Sequence, residues 1–279
     1  MQKRESRTVL ITGGASGIGK ATAILMASHG WKIAVADINK AGAQAVADEC
    51  RGGTAFAIPL DIRSERQWNR AFDQVWKRFG QLDVLINNAA VVHTGYAREI
   101  PVALHADTMN TNFMGPLTGM MTALPRFKKQ GHGHLVTIAS MVSFLPFPGL
   151  STYAAAKHAL RAFHLAVALE ERASDLDFTI VYPSSTETPM LEKEAKNDAT
   201  KMAFAGNSVG PEVMAETIFQ SIVKKKIEVY YPPERGKVVR RLGINVKALR
   251  EMVERNEVIG AQKLHARRAA TRKSRSRPG

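Results

Sequence analysis

Short apolar segments alternate with segments of helical periodicity along most of this chain. The first apolar segment is Thr8–Thr12, and six more follow it, the last at Ile227–Tyr231. The early strands are apolar on both faces, as expected of parallel strands that are covered by helices on both sides. We therefore predict an α/β fold with a doubly wound, seven-stranded parallel sheet between two layers of helices.

Basic residues are concentrated at the C-terminal end of the chain. Residues 240–279 contain 12 Lys and Arg but 3 Asp and Glu, so this end holds most of the net charge of +14. Apolar residues recur there at helical spacing, which predicts an amphipathic helix over Asn245–Ala270. We predict a single domain over residues 1–239 and a basic, partly helical extension over residues 240–279, with its last eight residues lacking regular structure.

The sequence leaves three uses open for this extension. It can pack across its own domain or a partner subunit, lie on an anionic membrane surface, or bind nucleic acid. Nucleic acid is the least favoured partner, because the rest of the chain is nearly balanced in charge and has no nucleic-acid-binding signature.

A glycine-rich turn follows the first predicted strand and opens the first predicted helix. Gly13, Gly17 and Gly19 have the spacing Gly-x-x-x-Gly-x-Gly. Glycine lets the backbone approach a pyrophosphate, and the helix N-terminus offers it N–H groups and a positive dipole. Many turns need glycine for conformation alone, but the position in the first βα turn favours a dinucleotide site in a Rossmann-type fold.

The end of the second predicted strand indicates which dinucleotide binds. Asp37 stands there, and the next basic residue is Lys40. A carboxylate in this position can accept hydrogen bonds from both hydroxyls of an adenosine ribose, and it repels a 2′-phosphate. We therefore predict NAD, rather than NADP, as the cofactor.

Three further residues suggest proton-transfer chemistry. Tyr153 and Lys157 are four residues apart in a predicted helix, so their side chains lie on one face. A nearby ammonium favours the phenolate and lowers the pKa of a tyrosine. Ser140 follows the predicted strand His134–Ile138, at the edge where open α/β sheets bind ligands, and can donate to a carbonyl oxygen. Each signal alone is weak, because such pairs and serines are common on helix surfaces and in turns.

Together these segments resemble the short-chain dehydrogenase/reductase family. The motifs follow the family's order from about Thr8 to Tyr231, and they are Thr12–Gly19, Asn87–Ala90, Asn112, Ser140 and Tyr153–Lys157. The resemblance implies an oxidoreductase that transfers a hydride between NAD and a secondary alcohol or ketone. It also implies dimers or tetramers through the helices near Asn112 and Tyr153.

The resemblance implies a role for each matching residue. The implied catalytic residues are Tyr153 as general acid/base, Lys157 lowering its pKa and holding the nicotinamide ribose, Ser140 positioning the substrate oxygen, and Asn112 supporting a proton relay. Asp61 and Ile62 would lie beside the adenine, Asn88 would steady the central sheet, and Thr188 would bond the carboxamide. The full predicted cofactor-binding set is Gly13, Ser16, Gly17, Ile18, Gly19, Asp37, Asp61, Ile62, Asn88, Tyr153, Lys157 and Thr188.

The chain departs from the family pattern in two places. Ala90 stands where Asn-Asn-Ala usually continues with glycine, which narrows the space beside the cofactor. Ser184 follows Pro183 where Pro-Gly is usual, which changes the backbone path expected near the carboxamide. Neither change removes a proton-transfer group.

The substrate side of the predicted site is apolar. Residues 141–150 contain no charge and lie between two catalytic motifs, so we expect them to line the cleft. The long connection Glu187–Gly210 is expected to add an apolar lid through Met190, Leu191, Met202 and Phe204. We predict an apolar alcohol as substrate, of lipid-like, steroid-like or retinoid-like character. The alternative is that these residues pack in the core or in a subunit contact.

Other features bear on location and on rival functions. Cys50 is the only cysteine, and the sequence contains neither a secretory signal nor an apolar run long enough to span a membrane. We therefore predict a cytoplasmic protein, peripheral to a membrane only through its basic tail. The histidine spacings match no common metal site, and the chemistry needs no metal. An NAD-binding regulatory sensor without turnover is the alternative, but a sensor has no use for an aligned acid/base pair.

Overall fold

A single parallel sheet forms the centre of the molecule. The structure is a computed structural model that describes residues 7–50 and 55–275. Its seven strands lie in the order β3-β2-β1-β4-β5-β6-β7, and every neighbouring pair is parallel. The strands are β1 (Thr8–Thr12), β2 (Lys32–Asp37), β3 (Ala55–Pro59), β4 (Val84–Asn87), β5 (Gly133–Ile138), β6 (Leu176–Pro183) and β7 (Glu228–Tyr231). The predicted fold class is confirmed, although Thr54, expected to begin the third strand, lies outside the described residues.

Helices cover both faces of this sheet. In chain order they are α1 (Gly17–Ser28), α2 (Lys40–Glu49), α3 (Glu65–Phe79), α4 (Val102–Met109), α5 (Gly115–Gln130), α6 (Ser151–Glu170), α7 (Pro189–Glu194), α8 (Pro211–Val223), α9 (Arg235–Gly243) and α10 (Val246–Arg275). Side chains of α1, α2 and α8 share one apolar core with the sheet, and those of α3, α5 and α6 share the other.

Alternation along the first strand shows why both faces must be covered. Val9 and Ile11 belong to the core on one side of the sheet, whereas Leu10 belongs to the core on the other. All three are fully buried. Because successive side chains of a strand point to opposite faces, a strand that is apolar throughout can only be stable between two layers.

One predicted helix is divided into two. We expected a single helix over Leu104–Leu124, but a π-helical turn, Asn110–Met114, separates α4 from α5. Gly115 N–H donates to the carbonyl of Asn110, five residues back. The next residue, Pro116, has no N–H to donate, which favours a break in the regular helical ladder at this point.

The C-terminal extension is helical and packs on its own domain. Helix α10 continues to Arg275, so residues 272–275 are helical where we expected no regular structure, and residues 276–279 lie outside the described range. Leu264 is only 2% exposed, and Gly260 lies so close to the carbonyl of Lys201 that a Cβ would collide with it. The predicted boundary at residue 240 falls inside α9. No helix among residues 7–50 and 55–275 is long and apolar enough to cross a membrane.

Candidate active site

A cleft of about 880 Å³ opens at the carboxyl ends of the central strands. The turns after β1, β4, β5 and β6 all line it. Open α/β sheets bind their ligands at this edge, outside the carboxyl ends of the strands. Its far side extends across α7 to side chains of α9 and α10. The sheet thus brings together residues that are more than 200 positions apart in the chain.

The glycine turn after β1 forms one end of the cleft. Gly13 and Gly17 line it with φ of 65° and 53°, in the left-handed region that favours glycine. A Cβ on Gly13 would lie 2.8 Å from Ala89 Cα, and one on Gly17 would lie 3.0 Å from Thr188 Cγ2. Any larger residue at either position would collide with its neighbour, so only glycine lets the turn pack this closely against Ala89 and Thr188.

Of the three other predicted residues of this turn, two line the cleft and one lies behind it. Ser16 and Ile18 line the cleft beside Gly17. Gly19 is buried behind the turn, where a Cβ would collide with the carbonyl oxygen of Gly13. Gly19 thus allows α1 to pack closely against the turn and does not itself face the cleft.

Asp37 stands beside the glycine turn, at the end of β2. Its carboxylate accepts hydrogen bonds from the backbone N–H groups of Ala15, at 3.0 Å, and of Asn39, at 2.8 Å. These bonds use one lone pair of each oxygen and fix the carboxylate on the cleft wall. Further acceptor capacity remains on both oxygens.

A second acidic residue of the cleft, Asp61, is paired with a cation that the sequence analysis did not identify. Arg63 donates to both carboxylate oxygens of Asp61 and also forms an ion pair with Asp107 at 2.9 Å. The hydrogen bond from Arg63 holds the pKa of Asp61 below its ordinary value. Ile62 stands between Asp61 and Arg63 in the sequence. Its side chain is buried and packs against Gly115. Asp61, Ile62 and Arg63 all line the cleft.

Asn88 joins the ends of β1 and β4 next to the glycine turn. Its side-chain amide donates to the carbonyl oxygens of Thr12, at 2.9 Å, and Gly13, at 3.2 Å. Its backbone N–H donates to the Thr12 hydroxyl at 3.0 Å. These bonds hold the two strand ends in register at the cleft.

Asn112 lies behind the cleft wall. It is fully buried in the π-helical turn, and its amide group exchanges two hydrogen bonds of 2.8 Å with the backbone of Val91. Val91 and the neighbouring Thr111 line the cleft. The side chain of Asn112 therefore fixes a wall segment, and both of its polar atoms are engaged in doing so.

Ser140, Tyr153 and Lys157 lie together on the cleft wall. Lys157 is 2% exposed, and its ammonium donates to the carbonyl oxygen of Ile138 at 2.9 Å. The same nitrogen lies 5.7 Å from the centre of the Tyr153 ring. Burial lowers the pKa of Lys157 to about 8. The three groups converge at the carboxyl end of β5.

The pKa of Tyr153 is shifted in the direction opposite to our expectation. Burial raises it well above its ordinary value, and the charge of Glu194 raises it further. A hydrogen bond from the Ser140 hydroxyl lowers it, but by less. Sequence reasoning counted only the favourable ammonium and could not weigh the loss of solvent around the phenol.

Glu194 is a residue of the cleft that sequence reasoning missed. It lies at the end of α7 and is only 8% exposed. Burial raises the pKa of its carboxyl group to about 7. Its segment reads Leu-Glu-Lys-Glu, which carries no signal that the second glutamate is buried and the first is not.

The remaining wall of the cleft is largely apolar. Residues after β5 contribute Met141, Val142, Leu145, Phe147 and Leu150, and the long connection contributes Met190, Leu191 and Met202. Phe204, expected in this lid, is instead buried in a cluster with Leu264 of α10. Helices α9 and α10 add Val238, Val239, Leu242 and Met252 to the wall, which the sequence analysis did not anticipate.

Thr188 connects this lid to the glycine turn. It caps the N-terminus of α7, where its hydroxyl accepts from Leu191 N–H at 3.4 Å and donates to the carbonyl of Thr186 at 3.1 Å. A Cβ added to Gly17 would meet the methyl group of Thr188 first. Thr188 therefore lies where a ligand on the turn would meet the lid.

The sheet is parallel and doubly wound, and one cleft contains a glycine turn, an acidic residue after β2 and a Ser-Tyr-Lys cluster. This combination defines a Rossmann-type oxidoreductase. Residues 7–199 match the family described as short chain dehydrogenase. The chain belongs to the short-chain dehydrogenase/reductase family, as its motifs predict.

Several relatives are oxidoreductases. The 2,5-dichloro-2,5-cyclohexadiene-1,4-diol dehydrogenase of Sphingobium indicum is 33% identical over 66% of this chain and 74% of its own length. The 3-oxoacyl-[acyl-carrier-protein] reductase of Thermotoga maritima is 30% identical over 77% of this chain and 89% of its own. The crystal structure of a 3-ketoacyl-(acyl-carrier-protein) reductase from Brucella melitensis, complexed with NADH, covers 81% of this chain and 96% of its own, with a TM-score of 0.75 and 26% identity.

Proposed function

We propose that this protein is an NAD-dependent dehydrogenase or ketoreductase that interconverts an apolar secondary alcohol and its ketone. The observation that carries the proposal is the placement of Ser140, Tyr153 and Lys157 in the same cleft as the glycine turn and Asp37. A cofactor on the turn and a substrate oxygen at the Ser-Tyr-Lys cluster would share one cavity, as hydride transfer requires.

The residues of this cleft fit NAD. The glycine turn leads directly into the N-terminus of α1, which suits a pyrophosphate, and Asp37 suits ribose hydroxyls. Binding of NADH by the similar Brucella reductase supports the same choice. Bound here, the nicotinamide would supply the hydride acceptor for alcohol oxidation and, in its reduced form, the hydride donor for ketone reduction. The proposed binding residues are Gly13, Ser16, Gly17, Ile18, Asp37, Asp61, Ile62, Asn88, Tyr153, Lys157 and Thr188, with Gly19 supporting the turn.

Tyr153 transfers the proton in this proposal. In alcohol oxidation its phenolate oxygen takes the hydroxyl proton while the C=O bond forms, and in ketone reduction its phenol returns the proton to oxygen. The raised pKa keeps Tyr153 protonated near neutral pH, which suits donation to a ketone oxygen. Ser140 donates a hydrogen bond to the substrate oxygen. Lys157 holds the nicotinamide ribose and favours the phenolate, and Asn112 supports the proton relay by fixing the wall segment around Val91.

The apolar wall supports an apolar substrate. Methionine and leucine side chains surround the space next to Ser140, and the helices of the C-terminal extension close it further. The Sphingobium relative is named for a chlorinated ring diol, which supports a ring-containing substrate. We propose a ring-containing or aliphatic alcohol of lipid-like, steroid-like or retinoid-like polarity.

Assembly and location are further parts of the proposal. Val102, Met114, Met121 and Leu169 are exposed apolar side chains on or beside α4, α5 and α6, which supports a homodimer or tetramer through these helices. We propose a cytoplasmic location. Contact of the tail with an anionic membrane stays a prediction, and Arg267 and Arg268 are already engaged in ion pairs within the chain.

An alcohol screen with NAD tests the proposed function. We expect apolar secondary alcohols to reduce NAD, read as the absorbance of NADH, and small hydrophilic sugar alcohols to react far more slowly. Binding of NAD without reduction by any alcohol, and without oxidation of NADH by the matching ketones, would favour the regulatory sensor instead.

A further inference from the structure

One buried ionisable side chain of the cleft has no role in the proposed function. Glu194 lines the cavity, and only 8% of it is exposed to solvent. Within the part of the chain that the structure describes, no donor or cation is bound to its carboxyl group. Its carboxylate is therefore available to accept a hydrogen bond from a donor that enters the cleft.

The position of Glu194 points to the substrate as that partner. Glu194 and Tyr153 both line this cavity, and the charge of Glu194 acts on the phenol. Buried apolar side chains, among them Leu150, Leu191 and Met202, line this cavity around it. Beside apolar side chains a hydrogen bond to a carboxylate is stronger than in bulk water.

The charges of the cleft favour a neutral donor over a cationic one. Lys193, Arg235 and Arg255 are exposed residues that line the same cleft, and Lys157 is buried within it. Arg63 is paired with Asp61 and Asp107, so the remaining charges of the cleft are these four cations and the carboxylates of Asp37 and Glu194. The cations outnumber the carboxylates, and a substrate with an ammonium group would meet net repulsion. A hydroxyl group meets no such repulsion and can donate one hydrogen bond to the carboxylate.

We propose that Glu194 determines specificity by accepting a hydrogen bond from a second hydroxyl group of the substrate, so that a diol is preferred to the matching mono-alcohol. This inference rests on the proposed function and adds to it the substrate class. The first hydroxyl is oxidised at Tyr153, and the second stays unchanged and positions the molecule.

Cyclohexanol, cyclohexane-1,3-diol and cyclohexane-1,4-diol are suitable probes, each oxidised with NAD. For the native protein we expect kcat/KM to be about tenfold or more higher for at least one diol than for cyclohexanol. Glu194→Leu should abolish this preference, chiefly by raising KM for the diol, and Glu194→Gln should reduce it. Glu212→Gln makes the same chemical change on the exposed face of α8 and should leave the preference unaltered.

The pH profile gives a second readout that a purely structural role would not change. Tyr153 is influenced by Glu194, Ser140 and Lys157, and Glu194 raises its pKa. Removing that negative charge with Glu194→Gln should lower the pKa of Tyr153. The pH at which cyclohexanol oxidation reaches half its maximum should then move to a lower value, while the urea midpoint of the variant shows that it is folded.

Three results separate the possible failures. Equal kcat/KM for cyclohexanol and both diols in the native protein would overturn the inference, as would a diol preference that survives Glu194→Leu. A half-maximum that stays in place or moves to higher pH in Glu194→Gln would also contradict it. Absence of any NAD-dependent turnover would instead contradict the proposed function and remove the basis of this inference with it.

Discussion

At the scale of single residues, Tyr153 and Lys157 show how burial competes with charge pairing. They are one helical turn apart on α6, yet burial raises the pKa of the phenol and lowers that of the ammonium to about 8. Both shifts disfavour the charged form, because each group has lost solvent. Lys157 still stays mostly protonated at neutral pH, because its pKa of about 8 lies above that pH, whereas Tyr153 stays a neutral phenol.

Asp37 should control the choice between the two dinucleotides. We expect Asp37→Asn to lower the ratio of kcat/KM for NAD to that for NADP by about tenfold, because the amide no longer repels a 2′-phosphate. Asparagine keeps an oxygen that can accept from Ala15 N–H, so the turn should persist. Asp48→Asn on the exposed face of α2 is the control. An unchanged ratio would mean that another residue, with Arg63 as the first candidate, sets the preference.

The site residues whose positions could be predicted are those that belong to a short local pattern. Tyr153 and Lys157 share a helix face, and Gly13 and Gly17 share a turn, so spacing alone brings each pair together. Glu194 could not be predicted, because its burial depends on the fold of the long connection after β6. The net pKa shift of Tyr153 could not be predicted either, since it depends on burial across distant segments.

At the scale of secondary-structure elements, α10 holds the long connection in place. We call residues 187–210 the lid. Arg267 forms ion pairs with Glu187, at 2.6 Å, and with Glu192, while Arg268 donates to the Ala195 carbonyl at 2.7 Å. These contacts hold the first half of the lid against α10. The sequence predicted a helix here and left its partner open, because periodicity identifies an apolar face without identifying what covers it.

Loss of this attachment should loosen the lid. We expect Arg267→Ala to raise KM for the substrate several-fold, with a smaller effect on kcat, because the apolar wall is less well ordered before binding. Hydrogen exchange across residues 187–210 should become faster. Arg250→Ala, which removes an exposed pair with Glu254 on the same helix, is the control and should change neither quantity. Equal effects of the two substitutions would show that Arg267 does not hold the lid.

At the scale of the whole molecule, two buried histidines link stability to pH. His134 bonds to the Thr179 hydroxyl at 2.8 Å and His164 to the Thr137 hydroxyl at 2.9 Å, both within the core. Burial lowers the pKa of each below its ordinary value. The folded protein therefore keeps both rings neutral at pH values where the unfolded chain binds protons.

The resulting loss of stability lies on the acidic side. Below about pH 6.5 the free energy of unfolding should fall by up to roughly 1 kcal/mol per pH unit for each histidine, because the unfolded state binds more protons. Urea unfolding at a series of pH values measures this slope. His164→Asn should make the slope shallower even if it lowers the stability overall. A slope as steep as that of the native protein would show that other groups are responsible.

The overall architecture was the most predictable part of this molecule, because each strand had to be apolar on both faces to be stable in its place. The division between α4 and α5 was less predictable, since an apolar pattern continues through a π-helical turn without interruption. The closure of the cleft by α9 and α10 depends on contacts such as that between Leu264 and Phe204. Contacts of this kind join segments about 60 residues apart, and local periodicity contains no information about them.

The central claim is that the Tyr153 hydroxyl carries the proton, and Tyr153→Phe tests it most directly. The ring is retained, so NADH binding, measured by the fluorescence of the cofactor, should stay within about threefold of the native value. Turnover of any alcohol that the native protein oxidises should fall by at least about a hundredfold. Turnover at the native rate with NADH binding intact would contradict the account.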